Sequence, residues 1–329
     1  RSAFSFLQGA SHPHELIERA RALGYRGIAL TDLDSVGGIV EAWEAVREEV
    51  EPPLQLLVGA ELSVDPALAG GPAPETPPAP GAVAYRVLLY ATSREGYGSL
   101  CQLISTGRLR SPKGSSRVSP AELAGSGAEL LMVWHEESGT ADDLAVLLPF
   151  FRNRTWIGIS RHARPDDLRH ERHLSTLAAR FGLPLLALPQ VLYHERSRRE
   201  LLDVLTCIRL GMTLDEAADR LPPYDGFALP DGSELAKRYR DHPEWLAETR
   251  RLAERCSFTL DEIQYRYPSE TRPDGWTDIA WLRQLTQDGA GRRYPDGTPP
   301  AIVAQLEREL ELIEELDYSG YFLTMAEIV

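Results

Sequence analysis

Three short segments place carboxylates or an imidazole at or just after apolar runs. Thr31-Asp32-Leu33-Asp34 closes the run that begins at Tyr25, Gly59-Ala60-Glu61 lies within the run from Leu54 to Val64, and Ser160-Arg161-His162-Ala163 follows the run from Thr155. Carboxylate and imidazole are donors for zinc, manganese or iron. If these runs are strands of one parallel sheet, Asp32, Glu61 and His162 could converge at its C-terminal rim, where such folds do their chemistry. Each also has a plainer role, because an Asp that follows a strand is more often the cap of the next helix.

The remaining candidates are weaker. His170-Glu171-Arg172-His173 is one residue short of the metalloprotease spacing, and such a charged run reads first as a solvated helix face. His12-Pro13-His14 precedes a helical pattern and reads as its cap, while Cys207 sits on an apolar helix face and reads as core. Cys101, Cys207 and Cys256 are far apart and form no CxxC pair, for which a reducing cytoplasm is the simplest setting. There is no glycine-rich phosphate loop, GxSxG elbow or zinc-knuckle spacing, and Gly37-Gly38 alone carries no site.

The elements that must position these residues alternate. Leu16, Ile17, Ala20 and Leu23 recur at helical spacing, and Gly24 follows as a stop. A strand over 25–32 comes next, then a helix from about Val36 to Val50 and a strand from Leu54 to Val64. Further strand-like runs cover 84–91, 129–135, 155–161 and 183–189, with the clearest helices between and after them at 166–181 and 197–210. This order predicts parallel strands with helical crossovers, and runs apolar nearly throughout predict a sheet covered by helices. A barrel is favoured over a doubly wound sheet. Residues 65–83, rich in Pro and Gly, read as a flexible surface insertion with no functional role. After about Leu210 the alternation ends and the rest reads as helices broken by prolines, the clearest helix being 301–316.

Composition narrows the function. Of 329 residues, 43% are hydrophobic and 26% charged, an ordinary globular balance, with no apolar run long enough to span a membrane and no signal-peptide pattern. A net charge of -14 argues against a strong grip on DNA by this stretch alone. The absence of a starting Met suggests part of a longer chain.

As a set, the segments resemble the polymerase-and-histidinol-phosphatase (PHP) domain that opens bacterial C-family DNA polymerases of the DNA polymerase III alpha type. The matching stretches are 2–11, 27–32, 57–61 and 182–187, and Leu316-Asp317-Tyr318-Ser319-Gly320-Tyr321-Phe322-Leu323-Thr324 is similar to the entry to the family's palm. The wording of residues 4–13 is closest to the error-prone, damage-tolerant branch. The resemblance implies a PHP-type distorted (β/α) barrel over 1–258, followed by a mainly helical linker and the beginning of the palm over 259–329. It also implies a full-length DNA-directed DNA polymerase using Mg2+, primer-template DNA and dNTPs, with a sliding clamp and an accessory lesion-bypass subunit as partners. The catalytic carboxylates would lie beyond residue 329, so this fragment alone is expected to be inactive.

Metal-active members of the family use a His-x-His pair, an Asp, further His residues and an Asp-x-His pair. The resemblance puts Arg1, Gln8, Leu33, Arg86, Gln190 and Leu192 at ligand positions, leaving Asp32, Glu61 and His162 as a vestigial site. Leu donates nothing, Gln offers a neutral carbonyl, and Arg repels a cation. The expectation is therefore a metal-free scaffold in which Arg1 or Arg86 pairs with Asp32 or Glu61, and Arg161 is a further candidate cation. Two alternatives stand beside it: a stand-alone metal-dependent PHP phosphoesterase, and a non-enzymatic docking module of the lesion-bypass machinery.

Overall fold

The computed structural model describes residues 1–47, 53–68, 85–221, 226–263 and 272–328. They fall into two compact units, Arg1–Glu262 and Ile263–Val329. In the first, six strands form one sheet in chain order: β1 (Gly27–Leu33), β2 (Gln55–Val64), β3 (Tyr85–Ala91), β4 (Leu130–Trp134), β5 (Thr155–Ile159) and β6 (Leu185–Ala187). The helices are α1 (Pro13–Ala22), α2 (Ile39–Arg47), α3 (Arg94–Arg110), α4 (Pro120–Gly125), α5 (Ala141–Leu147), α6 (Asp167–Phe181), α7 (Arg199–Leu210), α8 (Gly232–Arg238) and α9 (Pro243–Glu254). Every strand lies within an apolar run of the sequence. Residues 48–50 of the expected second helix and 69–83 of the expected insertion lie outside the described residues.

One strand departs from the parallel reading. β3 runs antiparallel to both β2 and β4, whereas β1–β2, β4–β5 and β5–β6 are parallel. Parallel neighbours need a crossover, usually a helix, and no helix is found between β2 and β3 among the described residues. Apolar periodicity reports burial and is blind to strand direction. β1 and β6 are the two edges, with no ladder between them among the described residues.

The sheet has a core on each face. Leu30, Val58, Ala60, Leu62, Val87 and Leu89 pack on the helix side with Leu16, Ile17 and Leu100. Leu57, Leu88, Tyr90, Val133 and Leu186 form the other cluster, against Leu252 of α9 and Cys256 just after it. Alternation along a strand sends neighbouring side chains to opposite faces, and burial of both faces explains runs that are apolar throughout. Cys207 is buried, as its helical position suggests, and all three cysteines are free.

The second unit holds α10 (Asp278–Arg293), α11 (Pro300–Glu315) and α12 (Ser319–Ile328), with Leu282, Leu310 and Leu323 as its small buried cluster. No helix among the described residues is long and apolar enough to cross a membrane.

Candidate functional site

The N-terminal loop sits over the ends of β1 and β2. A β-carbon on Gly9 would lie 2.0 Å from the Ser2 carbonyl oxygen, so only glycine lets the loop fold back this tightly. The closure puts Ser2 and Ser5 on Asp32. Asp32 is buried and accepts from the Ser2 amide at 2.6 Å, the Ser2 hydroxyl at 2.7 Å and the Ser5 hydroxyl at 2.7 Å. The Leu33 amide donates to the same Ser5 hydroxyl at 2.9 Å. Asp32 is thus a structural acceptor for a loop.

Glu61 faces a different set. Its two oxygens take the Arg1 guanidinium in a fork, Nε at 2.6 Å and Nη2 at 2.7 Å, with side chains 12% and 2% exposed. Arg1 also donates to Gln8 at 3.4 Å and to Glu137 at 3.2 Å, and Arg86 donates to Glu137 at 2.5 Å. The Arg1 main-chain nitrogen donates to the Val191 carbonyl at 2.8 Å, which ties the pair to the chain after β6. Burial pushes the Glu137 carboxyl up, but Arg1, Arg86 and His135 outweigh it and hold it at about 2. Buried His135 lies 3.6 Å from Glu61, and burial, the largest influence, keeps its imidazole below the usual range.

His162 belongs to neither group. It is buried after β5, its amide donates to Asp167 at 2.7 Å, its Nδ1 lies 3.1 Å from the Gly226 carbonyl, and its ring packs on Phe227 at 4.4 Å. Burial lowers its pKa to about 4, so it is neutral near pH 7. Arg161 turns to Glu171 at 2.7 Å and Asp241 at 2.6 Å and packs over Tyr239 and Trp245. Hence Arg1 reaches Glu61, while Arg86 and Arg161 take other carboxylates. Gln190 and Leu192 follow β6; the Leu192 amide donates to the Phe227 carbonyl and its own carbonyl accepts from Ala10.

His135 and Glu137 were not singled out from the sequence, though His135 directly follows β4 and the strand-end rule used for His162 applies to it equally. Asp34 was passed over as well. It adopts φ 49°, accepts from the Ser63 amide and hydroxyl at 2.8 Å each, and burial raises its carboxyl to about 6 despite those bonds. His12 caps α1 through its amide, which donates to Glu15 at 2.8 Å, and His170 lies 3.2 Å from Asp166 on α6.

These donors do not fit a metal cluster. Glu61 gives both oxygens to Arg1, Asp32 is saturated by hydroxyl and amide donors, and among the described residues no three His, Cys, Asp or Glu form a group that could hold an ion. The arrangement neutralises buried carboxylates with protein donors, a structural use of charge.

Comparison with known proteins places this fold. Residues 1–157 match the family model described as the PHP domain. Residues 280–329 match that of the bacterial DNA polymerase III alpha NTPase domain. The chain is 41% identical over 331 residues to an error-prone DNA polymerase of Pseudomonas paraeruginosa, covering 100% of the chain and 30% of that protein. It is 39% identical over 337 residues to one from Aromatoleum aromaticum, covering 99% and 30%, and 40% identical over 352 residues to one from Bordetella parapertussis, covering 100% and 31%. The chain thus spans about 30% of the length of the curated relatives it matches.

Proposed function

We propose that this chain is the N-terminal portion of an error-prone DNA-directed DNA polymerase used in translesion synthesis and damage-induced mutagenesis. The observation that carries the reading is likeness over essentially the whole chain, across both matched domains, to the N-terminal 30% of proteins so named. The whole protein would add deoxynucleotides to a primer 3′-hydroxyl with release of pyrophosphate, using Mg2+ held by carboxylates beyond residue 329. Its partners would be primer-template DNA, a sliding clamp and an accessory lesion-bypass subunit, in the cytoplasm. Within the chain, residues 1–258 would be the PHP barrel and 259–329 the linker and first helices of the palm.

The barrel would serve as a metal-free scaffold. Arg1, Gln8, Leu33, Arg86, Gln190 and Leu192 would stand at lost ligand positions, with Asp32, Glu61 and His162 as remnants. The Arg1–Glu61 fork supports this reading, because a guanidinium at 2.6 Å takes the place a cation would need.

Primer extension by the purified full-length protein on an undamaged template and on one with an abasic site tests the proposal. Mg2+-dependent incorporation on both is expected, and the 1–329 fragment should give none. No incorporation by the full-length protein, together with metal-dependent phosphate release from a phosphomonoester, would replace this reading with a phosphoesterase.

A further inference from the structure

Protein interiors pack closely, with few voids larger than a water molecule. The first unit departs from that. Between α9 and the sheet face that carries Leu57, Leu88 and Val133 lies a cavity of about 780 Å³, within the range of small-molecule sites. Its walls are apolar, including Leu57, Leu88, Val133, Leu186 and Leu252. One end is lined by exposed Arg26, Gln55, Arg250 and Glu254, which gives a route from solvent. The other end meets Tyr90, His135 and the Arg1–Glu61 pair.

His135 supplies a second, independent observation. It is 1% exposed, and its Nδ1 accepts from the Glu137 amide at 3.3 Å, which leaves the ring proton on Nε2. That Nε2 has no hydrogen-bond partner, and its 3.6 Å separation from Glu61 is too long for one. A buried donor left unpaired is unfavourable, and a ligand acceptor would satisfy it.

We propose that this cavity binds one neutral, largely apolar small molecule whose hydrogen-bond acceptor meets His135. Charge is disfavoured at the His135 end because Arg1 and Glu61 already neutralise each other, and the other charged lining residues, Arg26, Arg250 and Glu254, stand at the solvent end. Such binding stabilises the barrel by mass action and is separate from nucleotide transfer, so its test does not depend on polymerase activity.

The probe is prodan, a neutral naphthalene bearing a ketone acceptor and an environment-sensitive fluorescence, titrated into the full-length protein. A saturable blue shift with one site per chain is expected. Ala29→Trp on β1 and Ala253→Trp on α9 each place an indole in the cavity, from opposite walls. Each should weaken binding at least about tenfold without lowering the melting temperature, since the added ring fills space. His135→Phe should weaken prodan about five- to tenfold, the worth of one hydrogen bond, and leave N-phenyl-1-naphthylamine, which lacks the ketone, unchanged. Prodan emission that stays at its aqueous position, or binding unaltered in a folded tryptophan variant, overturns the proposal. Equal effects of His135→Phe on both probes overturn the role given to His135.

Discussion

Two charge-rich corners of the first unit use the same residue types to opposite effect. At one, Arg1 forks onto Glu61 with both side chains nearly out of solvent, and Glu137 and Arg86 extend the cluster. At the other, Arg161 and Arg164 surround a neutral buried His162 with pairs that are partly open to water, Asp241 being 54% exposed. Coulomb energy scales with the inverse of the local dielectric, so the first corner should govern stability and the second only trim it. Charged residues in a strand-end loop say little until their burial is known.

The sharpest way to break this comparison is to remove one side of the buried pair. Glu61→Ala leaves the buried Arg1 with only Gln8 and the more exposed Glu137, and should destabilise the protein by about 3–5 kcal/mol. Replacing both partners by apolar residues, Arg1→Met with Glu61→Leu, should cost far less. Equilibrium denaturation of the two full-length variants decides it; a Glu61→Ala variant as stable as the parent, with loss of a measurable hydrolytic activity, would instead mean a working site.

A smaller effect is set by pH. Glu137 has a folded pKa of about 2, below its ordinary value, through Arg1, Arg86 and His135. A depressed carboxylate contributes stability that is present above its unfolded pKa and lost as pH falls through the folded one. Melting curves should therefore fall between the ordinary glutamate range and about pH 2, and Glu137→Gln should flatten that part of the profile. A profile unchanged by Glu137→Gln would show that the cluster does not hold the charge. Asp34 has the opposite sign. Its folded pKa is raised to about 6, so its contribution is full below the ordinary aspartate value and fades as pH rises through about 6; Asp34→Asn should remove that slope.

At the exposed corner, Asp241→Ala should change stability by less than about 1 kcal/mol, because Arg161 keeps Glu171 and water screens the rest. A larger loss would place the two corners on one footing. The smallest effect concerns metal. After incubation with zinc, manganese or iron and gel filtration, elemental analysis of the full-length protein should find no stoichiometric zinc, manganese or iron, and Glu61→Ala should leave that result unchanged. Stoichiometric metal that survives the column would reverse the account of Arg1.

Much of this was legible in one dimension. All six strands lie in runs read from apolar residues, and the edges of α1, α6 and α11 fall close to the expected ones, because helix and strand periods are local properties. Glu61 could be singled out by type, and Arg1 through the resemblance. The first compact unit runs to Glu262, and near its end Trp43 donates to Asp261. That contact joins residues 218 positions apart, and no local pattern records it.

By itself, then, the sequence determined where the strands and the clearest helices form and that both faces of the sheet are buried. Only the tertiary structure decided that β3 runs backwards, that Asp32 is held by Ser2 and Ser5, that His135 and Glu137 join the Arg1–Glu61 pair, and that His162 sits apart. The physical reason is range. Side-chain periodicity is set by the backbone within a few residues, whereas a pair such as Arg1 and Glu61, 60 residues apart, exists only once the strands and the N-terminal loop have closed around it.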